Sequence, residues 1–503
     1  GIEGICMEWI WTTQEQHRLS VFRYMVRNKV TRLSDLMAEF KFSRYMVISV
    51  VDQLNEDIAR LTGQTGVLVI EKGNVIVFDA PLNLLPIDEL KQYYLSNSTR
   101  AQIIEHLIAE DFESWEDLAF DLGISTPTIY KERTIVQDNL AVQGIEITKD
   151  YRLVGQEENI RFLTFALLTV YNGQRTADVA DEIKNAANYY ISHVIAPIFG
   201  ELKDSQISII WHMAAIWTNR FSQRHFVSSG FTNQYLNGTI EMSEQAQRLL
   251  KHLKVLMARN GHMSDGELDN EARFIILILH SLGLFSTIQT ARDVTPTVKQ
   301  CWQRFDESIQ TSYKCLFRLS MTPVDSRKLT YSVGHTLFQF LIYPFGISSG
   351  IYDLQHFEEF SERYPLAFQL GTEILNDFAQ KQELDSSKLK TALLTDLVSA
   401  LATGDYIYQS IPKVNIVLDF GNHVNIENLL LDQFGPVTKA KIATSHRLDN
   451  QTDILLTDVP RKPVTNELVY VWQGIESDRY LNQLIADINR ISSKKFNAWR
   501  RQN

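Results

Sequence analysis

An internal repeat constrains the fold of this chain more strongly than any other feature of its sequence. When Ser43 is superposed on Ser125, apolar residues coincide at a constant offset of 82 positions. The coinciding pairs are Phe40 with Leu122, Phe42 with Ile124, Val47 with Ile129 and Leu54 with Val136. Self-similarity of this kind indicates two tandem copies of one structural unit.

Each copy has the same predicted order of elements. Helical periodicity predicts helices over 12–28, Arg32 to Phe40 and Ser43 to Arg60 in the first copy, and over Ser98 to Ala109, Ser114 to Asp121 and Ser125 to Gln143 in the second. Two β-rich runs follow each set, turning at Lys72-Gly73-Asn74 and at Lys149-Asp150. A helix-turn-helix followed by a hairpin is a winged helix, so the sequence predicts two of them in tandem.

The rest of the chain changes character twice. At 503 residues it is too long for one core. Long apolar helices dominate from Glu157 to Leu401, enough for two bundles, and strands then alternate with helices. We therefore predict a mainly α, multidomain protein with winged helices at 7–80 and 81–156, helical domains at 157–292 and 293–404, and a small α/β domain at 413–495.

Several classes of protein are not indicated by the sequence. It contains no apolar run long enough for a membrane span, and its first residues lack the pattern of an export signal, with Met7 a candidate start. Cys6, Cys301 and Cys315 have neither metal-ligand nor disulfide spacing. Phosphate-binding loops, nucleophile elbows and zinc motifs are not found either. We expect a cytoplasmic protein that is not an enzyme, makes no membrane contact and holds no metal or cofactor.

The placement of basic and hydroxyl side chains indicates DNA binding, although the formal net charge is -11. In a winged helix the first turns of the third helix read base edges, while neighbouring groups and the wing hold phosphates. The candidate residues are Lys41, Ser43, Arg44 and Tyr45 in the first copy, Thr126, Thr128, Tyr130, Lys131 and Arg133 in the second, and Lys72, Asn74 and Lys149 in the wings. So few cations predict modest affinity, raised by dimerisation.

Two alternatives to this interpretation stay open. Winged helices also serve as protein-interaction modules, so the N-terminal half could contact other proteins instead of DNA. Tyr130 and Arg133 could also be packing residues on the surface of the long helix. Acidic residues, including Glu116 and Asp117, precede this helix.

The stretch LGISTPTIYKERTIVQDNLAVQGIEI, followed by YRLVGQEENIRFL, resembles the Mga family of transcriptional regulators, as does the order of domains. The resemblance implies a global or virulence regulator of a Gram-positive bacterium. It also implies two phosphotransferase-system regulation domains, an enzyme IIB-like C-terminal domain, and assembly into dimers or larger oligomers. Such regulators bind DNA with loose sequence preference, favouring its shape and flexibility.

The resemblance also draws attention to histidines in the helical domains. His212, His280 and His335 have a spacing similar to that of the phosphorylatable histidines of the family, and His193 and His262 are weaker candidates. Phosphorylation there would add negative charge and could reorganise a helical interface. The alternative is that each histidine is an ordinary packed residue. No Asp-His pair accompanies them.

The C-terminal domain departs from the enzyme IIB pattern. Residues 419–425, DFGNHVN, follow its first strand and contain His423 but no cysteine, although phosphoryl transfer in that class needs a thiolate. We therefore interpret this domain as an interaction or dimerisation module.

The leading hypothesis is a transcription regulator that binds double-stranded DNA, forms a homodimer or higher oligomer, and is tuned by phosphocarrier proteins of the phosphotransferase system. The competing hypothesis is a protein-interaction scaffold or signalling protein of that system that does not bind DNA directly.

Overall fold

The computed structural model describes residues 8–79, 87–171, 180–259, 262–342, 360–404, 406–407, 411–421, 423–438, 441–472 and 478–502. Helices dominate these residues, and the chain divides into two compact units. One comprises Gly1–Lys299 with Phe338–Ile351, and the other Gln300–Leu337 with Tyr352–Asn503. Met7, Cys6 and the predicted boundary at 80–81 lie outside the described residues. Within these ranges no helix is both long and apolar enough to cross a membrane.

The first copy of the repeat folds as three helices and a small sheet. After a short 3-10 turn at Glu8–Ile10, its elements are α1 (Thr13–Arg27), β1 (Val30–Arg32), α2 (Leu33–Phe40), α3 (Arg44–Thr62), β2 (Leu68–Glu71) and β3 (Val75–Phe78). Thr12 caps α1 in a capping box and Ser43 caps α3. The sheet is antiparallel in the order β1-β3-β2, with Val30 opposite Val77. The helices match the sequence prediction, whereas β1 was not predicted.

The second copy repeats this order after a connecting helix, α4 (Ile87–Ser96), that was not predicted either. Its elements are α5 (Thr99–Ala109), α6 (Trp115–Asp121), α7 (Thr126–Ala141), β4 (Ile145–Ile147) and β5 (Leu153–Gly155). Ser98, Ser114 and Ser125 cap the three helices, because each side chain accepts a hydrogen bond from a backbone N–H in the first turn. β4 and β5 form an antiparallel hairpin.

The coinciding apolar positions occupy equivalent places in the core. Val47 and Ile129 are fully buried, as are Leu54 and Val136, on the inner faces of α3 and α7. These side chains belong to one continuous apolar cluster that extends from Ile10 to Leu167 and includes residues of both copies. The two copies are therefore packed together and share a core.

Helices make up the remainder of this unit. They are α8 (Glu157–Phe165), continued by a π-helical segment (Ala166–Tyr171); α9 (Asp181–Tyr189), continued by a second (Tyr190–Ile195); α10 (Ala196–Phe199), α11 (Asp204–Ser222) and α12 (Ser229–Tyr235); a 3-10 turn (Thr239–Glu241); and α13 (Glu244–Ala258), α14 (Asp265–Ser281) and α15 (Thr287–Asp293). From Phe274 to Leu279 every residue of α14 is fully buried. This helix is therefore central to the bundle, with α12 and α13 packed on it.

A buried ionic network ties three helices of this bundle together. Arg161 of α8 donates to both oxygens of Glu271 in α14, at 2.7 and 2.9 Å, and to Glu157 at 3.0 Å. Arg220 of α11 donates to both oxygens of Glu157, at 2.8 and 2.7 Å. All four side chains are at least nine-tenths buried. Since each buried charge has an oppositely charged partner, the network offsets the cost of removing these groups from water.

Further helices and a parallel sheet complete the chain. The elements are α16 (Pro296–Phe317), α17 (Pro323–Ser332), α18 (Gly334–Ile342), α19 (Pro365–Gln382), α20 (Ser386–Thr403), β6 (Val414–Asp419), α21 (Val424–Thr438), β7 (Ile442–Ser445), β8 (Ile454–Thr457), β9 (Leu468–Val471) and α22 (Asp478–Gln502). The sheet is entirely parallel in the order β7-β6-β8-β9. The alternation of strands and helices predicted a parallel sheet of this kind, but β7 was not anticipated.

Candidate nucleic-acid interface

The turn before α3 exposes the four predicted residues of the first copy. Lys41 ends α2 in the left-handed conformation, with φ 55°, and its backbone N–H donates to the Met37 carbonyl. The Ser43 hydroxyl accepts from the backbone N–H of Met46 at 3.2 Å. Lys41, Ser43 and Arg44 are exposed, and Tyr45 is 82% exposed. A large aromatic side chain thus projects into solvent at the start of α3.

The β2–β3 hairpin of the first copy, its wing, is hydrogen-bonded to the start of α3 and to α2. Arg44 Nη2 donates to Asn74 Oδ1 at 2.8 Å, and the Asn74 carbonyl accepts from the backbone N–H of Leu33 at 2.8 Å. Asn74 also has a positive φ of 60°, which suits the tight turn of the hairpin. Lys72 is exposed beside it. The structure thus brings the predicted residues of the α3 terminus and the wing together.

In the second copy the first turns of α7 present hydroxyl and basic groups to solvent. The Ser125 hydroxyl accepts from the Thr128 backbone N–H at 3.3 Å, and the Ser125 and Thr128 hydroxyls lie 2.7 Å apart. Thr126, Thr128 and Lys131 are exposed on consecutive turns. These side chains can approach a phosphate or a base edge without any rearrangement of the helix.

Tyr130 and Arg133 have a different environment, since both pack against α6. The Tyr130 hydroxyl donates to Glu116 Oε1 at 2.7 Å. This bond raises the pKa of Tyr130 and lowers the pKa of Glu116. The Arg133 guanidinium lies over the rings of Tyr130 and Trp115, 4.9 and 5.6 Å from their centroids. Both residues hold α6 against α7, and their contact with DNA stays a prediction.

One acidic residue of each of the helices α3 and α7 is paired inside the protein. Asp57 of α3 is 2% exposed and accepts from Arg18 at 3.1 Å and from the Tyr94 hydroxyl at 2.6 Å. Glu132 of α7 accepts from Arg100 Nε at 2.6 Å. Arg18 and Arg100 are 82 positions apart, at equivalent places in the repeat. Sequence reasoning missed both pairs, because the repeat offset relates the arginines but not their partners: Asp57 corresponds to Asn139, and Glu132 to Val50.

The second wing is held by aromatic contacts. Tyr151 has a positive φ of 61°, and its ring lies 5.1 Å from that of Phe112 and 5.6 Å from that of Trp115. Lys149 is exposed at the tip of the hairpin. The cluster packs the turn of the hairpin against Phe112 and the start of α6, and it leaves Lys149 exposed.

The second copy of the repeat matches a known protein family. Residues 85–168 match the family model of the Mga helix-turn-helix domain. The match supports membership of the Mga family of regulators. No curated protein matches the chain. The matched range runs through α4–α7, the second hairpin and α8, and an Mga helix-turn-helix domain indicates a DNA-binding transcription regulator.

Two of the candidate histidines beyond the Mga domain are buried. His212 is 3% exposed; its Nδ1–H donates to the Ser208 carbonyl at 2.7 Å, and its Nε2 is buried without a hydrogen bond. His280 is 1% exposed and stacks on Phe285, with ring centroids 3.8 Å apart. Its Nε2 is 2.9 Å from Asp293 Oδ2. Burial lowers the pKa of both histidines, and at His280 the neighbouring Asp293 acts in the opposite direction.

The remaining histidines lie at the surface. His335 is exposed in the first turn of α18, beside Thr336. His193 is exposed and stacks on Tyr189, with centroids 4.2 Å apart, and His262 is exposed as well. His423 is exposed in the loop after β6. The three principal candidates therefore differ in environment, since His212 and His280 are buried and His335 is exposed.

The end of β6 carries an ion pair. Asp419 accepts from Arg461 Nη2 at 2.9 Å. In the part of the chain that the structure describes, no three His, Cys, Asp or Glu side chains are grouped so that they could hold a metal ion.

Proposed function

We propose that this protein is a transcription regulator of the Mga type that binds promoter DNA through both copies of the repeat, each acting as a winged helix. The exposed first turns of α3 and α7 carry the proposal, because Ser43, Arg44, Thr126, Thr128 and Lys131 present hydroxyl and basic groups there. The Mga domain match to the second copy supports the same conclusion.

Internal charge pairing explains how an acidic chain can approach DNA. A carboxylate that faces the phosphates repels them, whereas one paired with arginine contributes little field at the surface. Asp57 and Glu132 are paired in this way with Arg18 and Arg100. The local potential at the ends of α3 and α7 is thus less negative than the net charge of -11 suggests.

Fluorescence anisotropy with promoter-length duplex DNA tests the proposal. We expect saturable binding at low salt and only modest preference for a promoter over an unrelated duplex of equal length, as expected when shape and flexibility dominate recognition. The double variant Thr126→Ala/Lys131→Ala should bind more weakly than Lys251→Ala, a matched change at an exposed lysine of α13. Absence of any complex at low salt would favour the protein-interaction scaffold.

We propose dimerisation through the C-terminal domain, read as an enzyme IIB-like fold without phosphotransfer chemistry. Its parallel sheet and the loop 419–425 without cysteine support this reading. Dimerisation would raise the affinity of weakly basic DNA contacts by placing more of them on one duplex. Sedimentation equilibrium of the full chain over a range of concentrations should show a reversible monomer–dimer transition, and a strictly monomeric chain would oppose the proposal.

We further propose that phosphocarrier proteins tune the regulator through histidine phosphorylation, with His335 as the accessible acceptor. The exposure of His335 supports its role as the first acceptor. His212 and His280 are buried and would require local opening of the bundle before a phosphate donor could reach them. Incubation with the general phosphotransferase enzymes and phosphoenolpyruvate, followed by mass spectrometry, should label His335 first. Absence of label on all three histidines would reject this route of regulation.

A further inference from the structure

A cavity of about 510 Å³ lies beside the junction of the second hairpin with α8. It is bounded by the end of β5, the first turn of α8, the segment around α12 and the end of α18. Every residue lining it belongs to the unit that contains both copies of the repeat. Its volume is that of a small-molecule site.

A carboxylate with no cation in contact lines this cavity. Glu158 is only 8% exposed; its carboxylate accepts a hydrogen bond from its own backbone N–H, and it forms no ion pair with the residues that the structure describes. Its neighbour Glu157 is bound by two arginines. Burial raises the pKa of Glu158, and the Glu157 carboxylate acts in the same direction, while Arg161 opposes them. A largely buried carboxylate with no cation in contact is costly, and a cationic ligand would offset part of that cost.

Aromatic side chains provide the second feature of the cavity. Phe226, Phe231, Tyr235 and Phe340 line it, and none of its lining residues is Lys or Arg. Aromatic faces attract cations, most strongly where water is excluded. Since no group of three metal-ligating side chains occurs among the described residues, these features favour an organic cation over a metal ion.

We propose that this cavity binds a small organic cation, an amine whose charged group pairs with Glu158 and whose apolar body packs against the aromatic rings. The site is also connected to α7. Asn159, which lines the cavity, donates through Nδ2 to the Gln143 carbonyl at 2.9 Å and to Gln156 Oε1 at 2.7 Å. Gln143 lies two residues beyond the end of α7, so a bound amine restrains the C-terminal end of the helix that carries Thr126 and Lys131.

Isothermal titration calorimetry of the full chain without DNA tests the site. The probes are benzylammonium, choline and spermidine, with benzyl alcohol as the neutral counterpart of benzylammonium. We expect at least one cation to bind saturably, and benzyl alcohol to bind at least roughly tenfold more weakly than benzylammonium. Glu158→Gln should weaken cation binding by at least about tenfold, whereas Glu201→Gln, at an exposed position of the same unit, should leave it unchanged.

A second variant guards against misfolding. Gln234→Trp changes an exposed helical residue at the rim, and it should block the cavity while far-ultraviolet circular dichroism stays that of the parent. Amide hydrogen exchange of the peptide spanning 141–147 should slow when the cation is bound. The site is rejected if no probe binds, or if Glu158→Gln and the parent bind equally. Binding with unchanged exchange would reject the connection to α7. Because neither measurement uses DNA, failure of DNA binding leaves both results intact.

Discussion

At the scale of single residues, neighbouring cations on α7 have different roles. Lys131 is exposed, whereas the guanidinium of Arg133 lies over two rings. We expect Lys131→Ala to weaken DNA binding several-fold and to reduce the dependence of log affinity on log salt by about one, with little change in melting temperature. Arg133→Ala should instead lower the free energy of unfolding by about 1 kcal/mol, because it loses stacking and stem packing.

Anisotropy titrations at several salt concentrations, combined with thermal melts, distinguish these two roles. The hypothesis of separate roles fails if Arg133→Ala melts like the parent and weakens DNA binding as much as Lys131→Ala does. Tyr130→Phe provides a further comparison, since it removes the hydrogen bond to Glu116 and keeps the ring beneath the guanidinium.

Buried histidine makes the stability of the first bundle sensitive to acid. The pKa of His212 is lowered from 6.5 by burial, so the unfolded chain binds more protons than the folded one below about pH 6.5. The free energy of unfolding should therefore fall as pH drops from 7.5 to 5.5, by up to about 1.4 kcal/mol per pH unit for each such histidine. Urea unfolding at several pH values measures the decline. His212→Leu should make it shallower, while His252→Leu, at an exposed position, should not.

At the scale of elements, replacing two glycines of the Mga domain allows the cost of backbone strain to be compared with that of steric clash. Gly123 and Gly155 both have positive φ, 67° and 134°. A Cβ at Gly123 would meet nothing within 4 Å, whereas one at Gly155 would lie 2.1 Å from the Gly144 carbonyl oxygen. Gly123→Ala should cost about 1 kcal/mol of stability, and Gly155→Ala clearly more, because the hairpin must shift. Equal losses in thermal melts would contradict this account.

The ionic network between α8, α11 and α14 should show strong coupling. Arg161→Met leaves the fully buried Glu271 without its cation, and we expect a loss of about 3–5 kcal/mol. Adding Glu271→Leu should restore part of it, since no uncompensated charge then remains at that position. Urea unfolding, monitored by tryptophan fluorescence, measures the stability of the parent, of each single variant and of the double variant. As a control, Lys184→Met removes the surface ion pair with Asp181 and should change stability by less than about 0.5 kcal/mol. If the effects of Arg161→Met and Glu271→Leu on the free energy of unfolding simply add, the coupling is refuted.

Sequence periodicity was sufficient for the repeated helices but not for the short or context-dependent elements. Apolar spacing and serine caps identify α3 and α7, because both signals are local. β1 has three residues and pairs with β3 across more than forty intervening positions. β7, with the sequence IATS, has little hydrophobic alternation of its own. Such strands depend on partners distant in sequence, which a local pattern does not contain.

The candidate interface was predictable to the same extent. Sequence position identified the exposed residues of α7, since they follow directly from a cap and a turn. It did not show that Arg133 stacks on Trp115 or that Arg44 binds Asn74, because both contacts join elements separated by a loop. The burial of His280 beside Asp293 is similar, since the two residues are thirteen positions apart.

At the scale of the whole molecule, the acidic net charge limits how DNA binding responds to salt. The ends of α3 and α7 and the wings provide few cations per protomer, so few counterions are released on binding. We expect a shallow salt dependence, corresponding to fewer than about ten phosphates per protomer. Anisotropy titrations from low to physiological salt, performed at several protein concentrations, measure it. A slope equivalent to ten or more phosphates per protomer would contradict the docking of α3 and α7.

The continuous apolar cluster from Ile10 to Leu167 fixes the separation of α3 and α7. A protein whose two DNA-contacting helices are joined by a flexible linker tolerates variable spacing between the DNA segments it contacts. Here the shared core would keep the distance between α3 and α7 constant. DNA turns once in about 10 base pairs, so five extra base pairs between the two contacted segments would move one of them to the opposite side of the duplex. Helical phasing of the promoter, more than the identity of its bases, should then determine which sites are occupied.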